Sequence, residues 1–190
     1  MIGQQQKDQA EKWFKDLRDK ICKEFEILEE DHLKLAPKSD VAAKKFERKS
    51  TIRETDDKED GGGGVMATLK DGRIFEKVGV NVSAVYGKLA PEAQKSITAR
   101  KAIPELKDDP RFWASGISLV AHMRNPHTPA IHLNTRMFWT PHAWWFGGGT
   151  DLNPSIENDD DTNFFHQTLK RKCDKHNQSY YKKFKEWADE

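Results

Sequence analysis

Residues 115–154 carry most of the side chains in this chain that could do chemistry. The segment holds four histidines, two arginines, three tryptophans, a triple glycine and an aspartate, spread over strand-like runs and their loops. Imidazole exchanges a proton near neutral pH, and the planar guanidinium of arginine matches the geometry of a carboxylate. Tryptophan adds flat apolar area. This mixture predicts a site for a large, flat, anionic ligand rather than a plain core.

Two predicted strands position these groups. Residues 114–123 and 130–140 are strand-like, and the turn-rich connector 125–129 joins them as a hairpin. Side chains of the same parity share one face of a strand. If the strands pair, one face is apolar and packs on helices, and the other collects polar and cationic groups. The predicted polar set is Ser118, His122, His132, Asn134 and Arg136, with Arg124 near the turn.

The tryptophans nearby, Trp139, Trp144 and Trp145, favour a polycarboxylate that contains a ring system. The plainer alternative is a solvated sheet face whose histidines are spectators. Four histidines within one short window argue against that alternative for the set as a whole.

A divalent metal site is a third interpretation. His122 and His132, with His142 or His166 and with Asp151, offer the imidazole and carboxylate ligands that such a site uses. No HExxH or HxH spacing supports it. Asp151, directly after the triple glycine, is equally typical of a ligand, a base or the cap of a turn.

The remaining elements are predicted from periodicity. Residues 4–31 form an amphipathic helix. After it the pattern predicts a short helix at 41–46 and a mobile connection to residue 60. A hairpin of strands 65–69 and 73–83 is predicted around Asp71-Gly72, and a helix follows at 91–102. Near the end of the chain we expect a short strand at 143–146, which ends at the triple glycine, and a helical tail at 160–190.

The run Gly61–Gly64 permits two interpretations, a flexible linker or a place where backbone must lie close to a ligand. In the strand that follows, Val78, Val80 and Val82 alternate with small polar residues, so that one face is buried and the other is open or forms the floor of a pocket. Helices at both ends with antiparallel hairpins between them indicate an α+β fold.

Composition excludes several classes of protein. A chain of 190 residues fits one domain with a helical arm. A net charge of +1 argues against a nucleic-acid-binding surface. Cys22 and Cys173 lie far apart, so a disulfide framework or cysteine zinc site is not expected. No run has the length of a transmembrane helix or the apolar core of a signal peptide, so we expect a cytoplasmic protein.

Three long motifs carry a family resemblance. The stretches GGGGVMATLKDGRIFEKVGVNVSAVYG (residues 61–87), SGISLVAHMRNPHTPAIHLNTRMF (115–138) and WWFGGGTDLNP (144–154) closely resemble oxygen-dependent coproporphyrinogen III oxidases. The resemblance covers nearly the whole chain. It implies a large, flat antiparallel sheet with helices on both faces, assembled as a homodimer. It also implies oxidative decarboxylation of two propionates of coproporphyrinogen III, which consumes dioxygen and yields protoporphyrinogen IX for haem synthesis.

The resemblance also implies roles for single residues. His132 matches the proton-donating active-site histidine of the family, and Ser118, Asn134, Thr135 and Arg136 match substrate-contacting positions. His122, His132 and His166 match positions assigned to a divalent metal, such as manganese, in some bacterial members, whereas the family is regarded as working without a metal or organic cofactor.

Family chains continue beyond the position of Glu190. The resemblance therefore implies one domain over residues 1–190, with a helical arm at 4–31, a catalytic sheet region at 61–154 and helices at 160–190, and without the C-terminal portion of the family. Two alternatives to a full oxidase stay open at this point: a tetrapyrrole-binding form without turnover, and a histidine-based metalloenzyme that acts on another substrate.

Overall fold

A six-stranded antiparallel meander forms the centre of the molecule. The computed structural model describes residues 3–37, 40–55 and 57–190. The strands pair in chain order, from β1 at one edge to β6 at the other, which confirms the α+β class. The elements are α1 Gln4–Leu35, β1 Glu47–Glu54, β2 Asp60–Lys70, β3 Phe75–Lys88, α2 Pro91–Lys101, a 3₁₀ turn Pro104–Lys107, β4 Arg111–Met123, β5 Ala130–Trp139, β6 Trp144–Asn153, α3 Asp159–Asp174 and α4 Tyr180–Asp189.

Helix α1 covers one face of the sheet. Its buried Phe14 and Cys22 join a core built from alternate residues of the central strands. Removing these side chains from water is the main force that holds α1 in place. We call this side the apolar face; its buried strand residues include Ala67, Leu69, Val78, Val80, Val82, Ile117, Leu119 and Ala121.

A buried carboxylate fixes the far end of α1 to the β2–β3 hairpin. Glu29 is fully buried, and its oxygens accept hydrogen bonds from the backbone N–H groups of Arg73, Ile74 and Phe75 at 2.7, 2.8 and 3.1 Å. The turn of this hairpin lies at Asp71-Gly72, as predicted. A side chain at Gly72 would overlap the Glu29 carboxylate. The helix also runs one turn beyond the predicted end at residue 31, to Leu35.

The prediction for residues 41–46 was wrong. This stretch has no helix, and it leads directly into β1. A helix is disfavoured because the backbone N–H of Phe46 donates to the Glu26 carboxylate of α1 at 2.8 Å, which holds the chain extended along the helix. The sheet therefore begins at Glu47 and not at residue 61. Part of the predicted mobile connection is strand β1, and residue 56 of it lies outside the described residues.

The linker interpretation of Gly61–Gly64 was also wrong, because all four glycines lie in β2. They are needed where backbones approach closely. A methyl group at Gly63 would overlap the carbonyl oxygen of Thr51, and one at Gly64 would overlap that of Val82. The run Gly61–Gly64 therefore marks tight strand contacts and not a flexible joint.

Strand β6 is longer than the sequence predicted. The predicted strand ended at the triple glycine, whereas β6 continues through it to Asn153. Gly148 pairs with Thr135, and Asp151 pairs with His132. Asp151 is consequently a strand residue and not the cap of a turn.

The helical tail consists of α3 and α4, separated by a short turn. The Asn158 side chain caps α3 by accepting from the N–H groups of Asp160 and Asp161. The two helices pack on each other, where the Tyr181 hydroxyl and the His166 ring lie 3.0 Å apart. On the second face of the sheet, Ser83, Ser118 and Arg136 are exposed. None of the described helices combines the length and the apolar character needed to cross a membrane.

Candidate functional site

The predicted polar set does share one face of the sheet. In the β4–β5 register Ser118 is opposite Asn134, Val120 is opposite His132 and Gly116 is opposite Arg136. Residues opposite each other lie on the same side of an antiparallel pair. The hairpin therefore places Ser118, His122, His132, Asn134 and Arg136 together, and we call this side of the sheet the polar face.

His132 is held by the neighbouring strand. Its Nδ1 lies 2.8 Å from Oδ1 of Asp151, which is its direct partner on β6. Asn153, two residues further on, donates to the same carboxylate oxygen at 2.7 Å. The imidazole is 38% exposed and the carboxylate 58%. A carboxylate at this distance favours the proton on Nδ1, which leaves Nε2 to exchange a proton with a ligand.

Arg136 is free to bind an anion. Its side chain is exposed, and no ion pair found among residues 3–37, 40–55 and 57–190 involves it. It lines a shallow depression of about 180 Å³ together with small side chains of β3 and β4, among them Ser83, Gly116 and Ser118. A guanidinium beside hydroxyl groups is suited to hold a carboxylate.

Thr135 lies in the alternate register. It pairs with Ile117, whose side chain is buried on the apolar face. Residue 135 still lines the depression, but its side chain does not join those of Asn134 and Arg136. A contact of Thr135 with a ligand on the polar face has to come from its main chain.

The predicted metal ligands do not form one cluster. The rings of His122 and His132 lie 6.0 Å apart, edge to face. His166 is on α3 and engages Tyr181. Within the part of the chain that the structure describes, no group of three or more His, Cys, Asp or Glu side chains is arranged to hold a metal ion. A divalent metal does not fit the three histidines as they stand.

Two other predicted contributors have structural partners. The Arg124 side chain donates through Nε to the carbonyl of Gly72, and its backbone N–H donates to Ile74. His142 lies in the β5–β6 turn, where its N–H donates to the Thr140 hydroxyl at 3.3 Å. Arg124 therefore ties two hairpins together, and neither residue belongs to the His132–Asp151 pair.

The aromatic residues divide between the two faces. Trp139 lies under the ammonium group of Lys7, 3.5 Å from the ring centroid, on the side of α1. Trp145 stacks on Phe138 at 4.9 Å, and Phe138 stacks on Phe112 at 5.6 Å. Phe138 has the same parity as Arg136, so this stack forms an apolar border at one end of the polar face.

Sequence reasoning missed part of this site. The pairing of Asp151 with His132 and the Phe112–Phe138–Trp145 stack were not predicted. Parity alone could have found Phe138, since it is two residues from Arg136. Asp151 required the knowledge that a strand continues through three glycines, which composition does not reveal.

Comparison with known proteins gives a consistent result. The family described as coproporphyrinogen III oxidase matches residues 9–190. The oxygen-dependent coproporphyrinogen-III oxidase of Rickettsia peacockii (strain Rustic) is 46% identical over 184 residues, which are 97% of this chain and 60% of that protein. The corresponding protein of Rickettsia bellii (strain RML369-C) is 41% identical over 189 residues, which are 100% of this chain and 62% of that protein.

The chain thus spans about 60% of the length of the curated relatives that it matches. The matched region contains the whole six-stranded sheet and both of its faces. On this evidence the chain belongs to the coproporphyrinogen III oxidase family.

Proposed function

We propose that this chain carries the substrate-binding face of an oxygen-dependent coproporphyrinogen III oxidase, which converts coproporphyrinogen III to protoporphyrinogen IX in haem synthesis. The observation that supports this best is the His132–Asp151 pair, 2.8 Å apart, on the same face as the unpaired Arg136. A proton-transfer group and a carboxylate-binding group on one open face are what a propionate-bearing macrocycle requires.

The proposed reaction acts on two propionates in turn. Each –CH₂–CH₂–COO⁻ loses its carboxylate as carbon dioxide and a hydride equivalent from the carbon next to the ring, which leaves a vinyl group. Dioxygen accepts the two electrons and, with the transferred hydrogen and one further proton, leaves as hydrogen peroxide. The electron-rich porphyrinogen can itself react with dioxygen, so the proposal needs no organic redox cofactor and no metal. Because the three histidines do not assemble a metal site, no step is assigned to manganese or another divalent ion.

In this proposal Arg136 holds a propionate as a charge-assisted pair. Ser118 and Asn134, opposite each other on β4 and β5, supply neutral hydrogen bonds to the substrate. Thr135 contributes through its main chain, because its side chain takes the alternate register.

His132 is the proposed proton-transfer residue. Asp151 orients the ring through Nδ1, so Nε2 is presented to the substrate. Dioxygen needs one further proton to leave as hydrogen peroxide, and a donor beside the substrate has to supply it. We therefore assign His132 the proton required during each decarboxylation.

Homodimeric assembly, which the family resemblance implies, and a cytoplasmic location, which we expect from the sequence, belong to the same proposal. Sedimentation of the purified chain tests the first. Localisation of a tagged chain by fractionation tests the second.

The central test combines oxygen uptake with a fluorescence titration. We expect wild-type protein to bind coproporphyrin III and to consume dioxygen with coproporphyrinogen III. We expect His132→Ala to lower turnover about 100-fold or more with little loss of affinity. His127→Ala, an exposed histidine of the β4–β5 turn, is the matched control and should behave as wild type.

Binding of coproporphyrin III without oxygen uptake in any variant would indicate a tetrapyrrole-binding form without turnover. Equal turnover in His132→Ala and wild type would refute the assigned role of His132.

A further inference from the structure

Glycines of the sheet fall into two groups according to what an added methyl group would meet. At Gly116 and Gly148 it would overlap backbone of the neighbouring strand. At Gly79 its nearest neighbour would be the Asn81 amide nitrogen, 3.8 Å away, and at Gly147 and Gly149 it would meet nothing within 4 Å. Close strand contacts explain the first group of glycines and do not explain the second.

Backbone conformation does not explain Gly79 or Gly149 either. Among the described glycines only Gly62 and Gly87 have a positive φ, so any residue could adopt the backbone at positions 79 and 149. Glycine inside a strand costs stability relative to alanine, because it orders a flexible backbone and packs no side chain. The fold itself therefore does not require glycine at either position.

Gly79 lies on the polar face, in the row of the catalytic candidates. It is opposite Val120 on β4, and Val120 is opposite His132 on β5. Lys77, Asn81 and Val120 lie directly beside Gly79 on this face, and the positions further along β3 and β4 are small. Together Gly79, Ser83, Gly116 and Ser118 form a low surface, which we call the floor.

One ring nitrogen of His132 is occupied from the β6 side. Its Nδ1 is engaged by Asp151, which leaves Nε2 for a ligand, and the ring lies 6.0 Å from that of His122 on β4. The depression beside Arg136 is also lined by β3 and β4 residues and by none of β6. His132 and Arg136 thus both lie beside β4, opposite Val120 and Gly116.

We infer that the macrocycle lies over β3 and β4, on the floor, and that Gly79 is a specificity-determining residue that lets a ring lie against the backbone next to His132. This inference rests on the proposed function. A side chain at position 79 would lift the ring away from His132 and Arg136. Gly147 and Gly149 lie on β6, opposite Arg136 and Asn134 and on the far side of β5 from the floor, and the bound ring does not touch them.

The test measures coproporphyrin III affinity by fluorescence titration of the 190-residue chain, with urea unfolding of each variant. We expect Gly79→Ala to weaken binding about tenfold, since overpacking by one methyl group has a cost of this order. Gly79→Val should weaken it further. Both should keep a urea midpoint equal to or above that of wild type. Gly149→Ala is the matched control and should bind within about twofold of wild type.

Weaker binding by Gly149→Ala together with normal binding by Gly79→Ala would overturn the inference and place the ring over β6. Normal binding by both, while Arg136→Gln loses affinity, would overturn it as well and leave the proposed function standing. If wild type does not bind coproporphyrin III, or if Arg136→Gln binds as well as wild type, the proposed function fails and the inference fails with it. Loss of binding with a lowered urea midpoint in Gly79→Ala would also count against it.

Discussion

The two faces of the sheet are made by the same strands and serve opposite purposes. On the apolar face, alternate residues such as Val80 and Leu119 are buried under α1. On the polar face their immediate neighbours, Asn81 and Ser118, lie in a shallow depression open to ligands. Adjacent residues in the chain are therefore divided between stability and chemistry. Substitutions on the apolar face should therefore affect mainly the stability of the fold, and substitutions on the polar face should affect mainly ligand binding.

The largest effect on stability is expected at the buried anchor of the apolar side. Glu29→Ala leaves the N–H groups of Arg73, Ile74 and Phe75 without their acceptor in a buried position. We expect the free energy of unfolding to fall by about 3–5 kcal/mol, measured by urea denaturation. The matched control is Glu30→Ala, because Glu30 is exposed and its nearest cation, Lys45, is 3.8 Å away. Equal losses in the two variants would contradict the anchoring role of Glu29.

Neighbouring residues of β4 give the most direct comparison of the faces. Leu119 is 5% exposed on the apolar face, and Val120 is partly exposed on the polar face. Leu119→Ala should lower the free energy of unfolding by about 2–4 kcal/mol, since it leaves a cavity. Val120→Ala should cost less than about 1 kcal/mol. The prediction fails if the polar-face variant is the less stable of the two.

The free thiols provide a chemical probe of the apolar side. Burial raises the pKa of the Cys22 thiol to about 11, and Cys22 is packed between α1 and the sheet. Cys173 is partly exposed on α3. A thiol reagent at neutral pH should label Cys173 at least tenfold faster than Cys22. In urea the two rates should converge, and equal rates in the native protein would show that α1 does not cover this part of the sheet.

The smallest effect is expected at an exposed ion pair next to β4. The Arg111 guanidinium holds the pKa of Asp109 down at about 2. Because this pKa is lower in the folded chain, the pair stabilises the fold above the unfolded value near 3.8, and that contribution is lost as the pH falls through about 2. Asp109→Asn should therefore flatten the dependence of the urea midpoint on pH between 4 and 2. A slope as steep as that of wild type would mean that other carboxyl groups cause it.

Strand parity made much of the polar face predictable from sequence. Because the side-chain period of a strand is two, pairing Ser118 with Asn134 also brings His132 and Arg136 to the same side. Glycine runs were misread because composition does not tell whether a glycine relieves a close strand contact or permits motion. The bonds from Glu29 to the β2–β3 turn join residues 44 to 46 positions apart, and no local pattern reports such a pairing.

The partners of His132 could not be predicted for a related reason. Asp151 meets His132 only if β6 passes through Gly147, Gly148 and Gly149 in register. Most local rules place a strand end there. The strand continues through the glycines because Gly148 makes room for the Asn134 carbonyl of β5.

The central claim is that the polar face holds a carboxylated macrocycle through Arg136. A fluorescence titration of coproporphyrin III against wild type, Arg136→Gln and Arg100→Gln tests it most directly, since Arg100 is an exposed arginine of α2 that does not line the depression beside Arg136. We predict that Arg136→Gln weakens binding about tenfold or more and removes part of its dependence on ionic strength, while Arg100→Gln binds as wild type does. Equal affinity for all three proteins would contradict the claim.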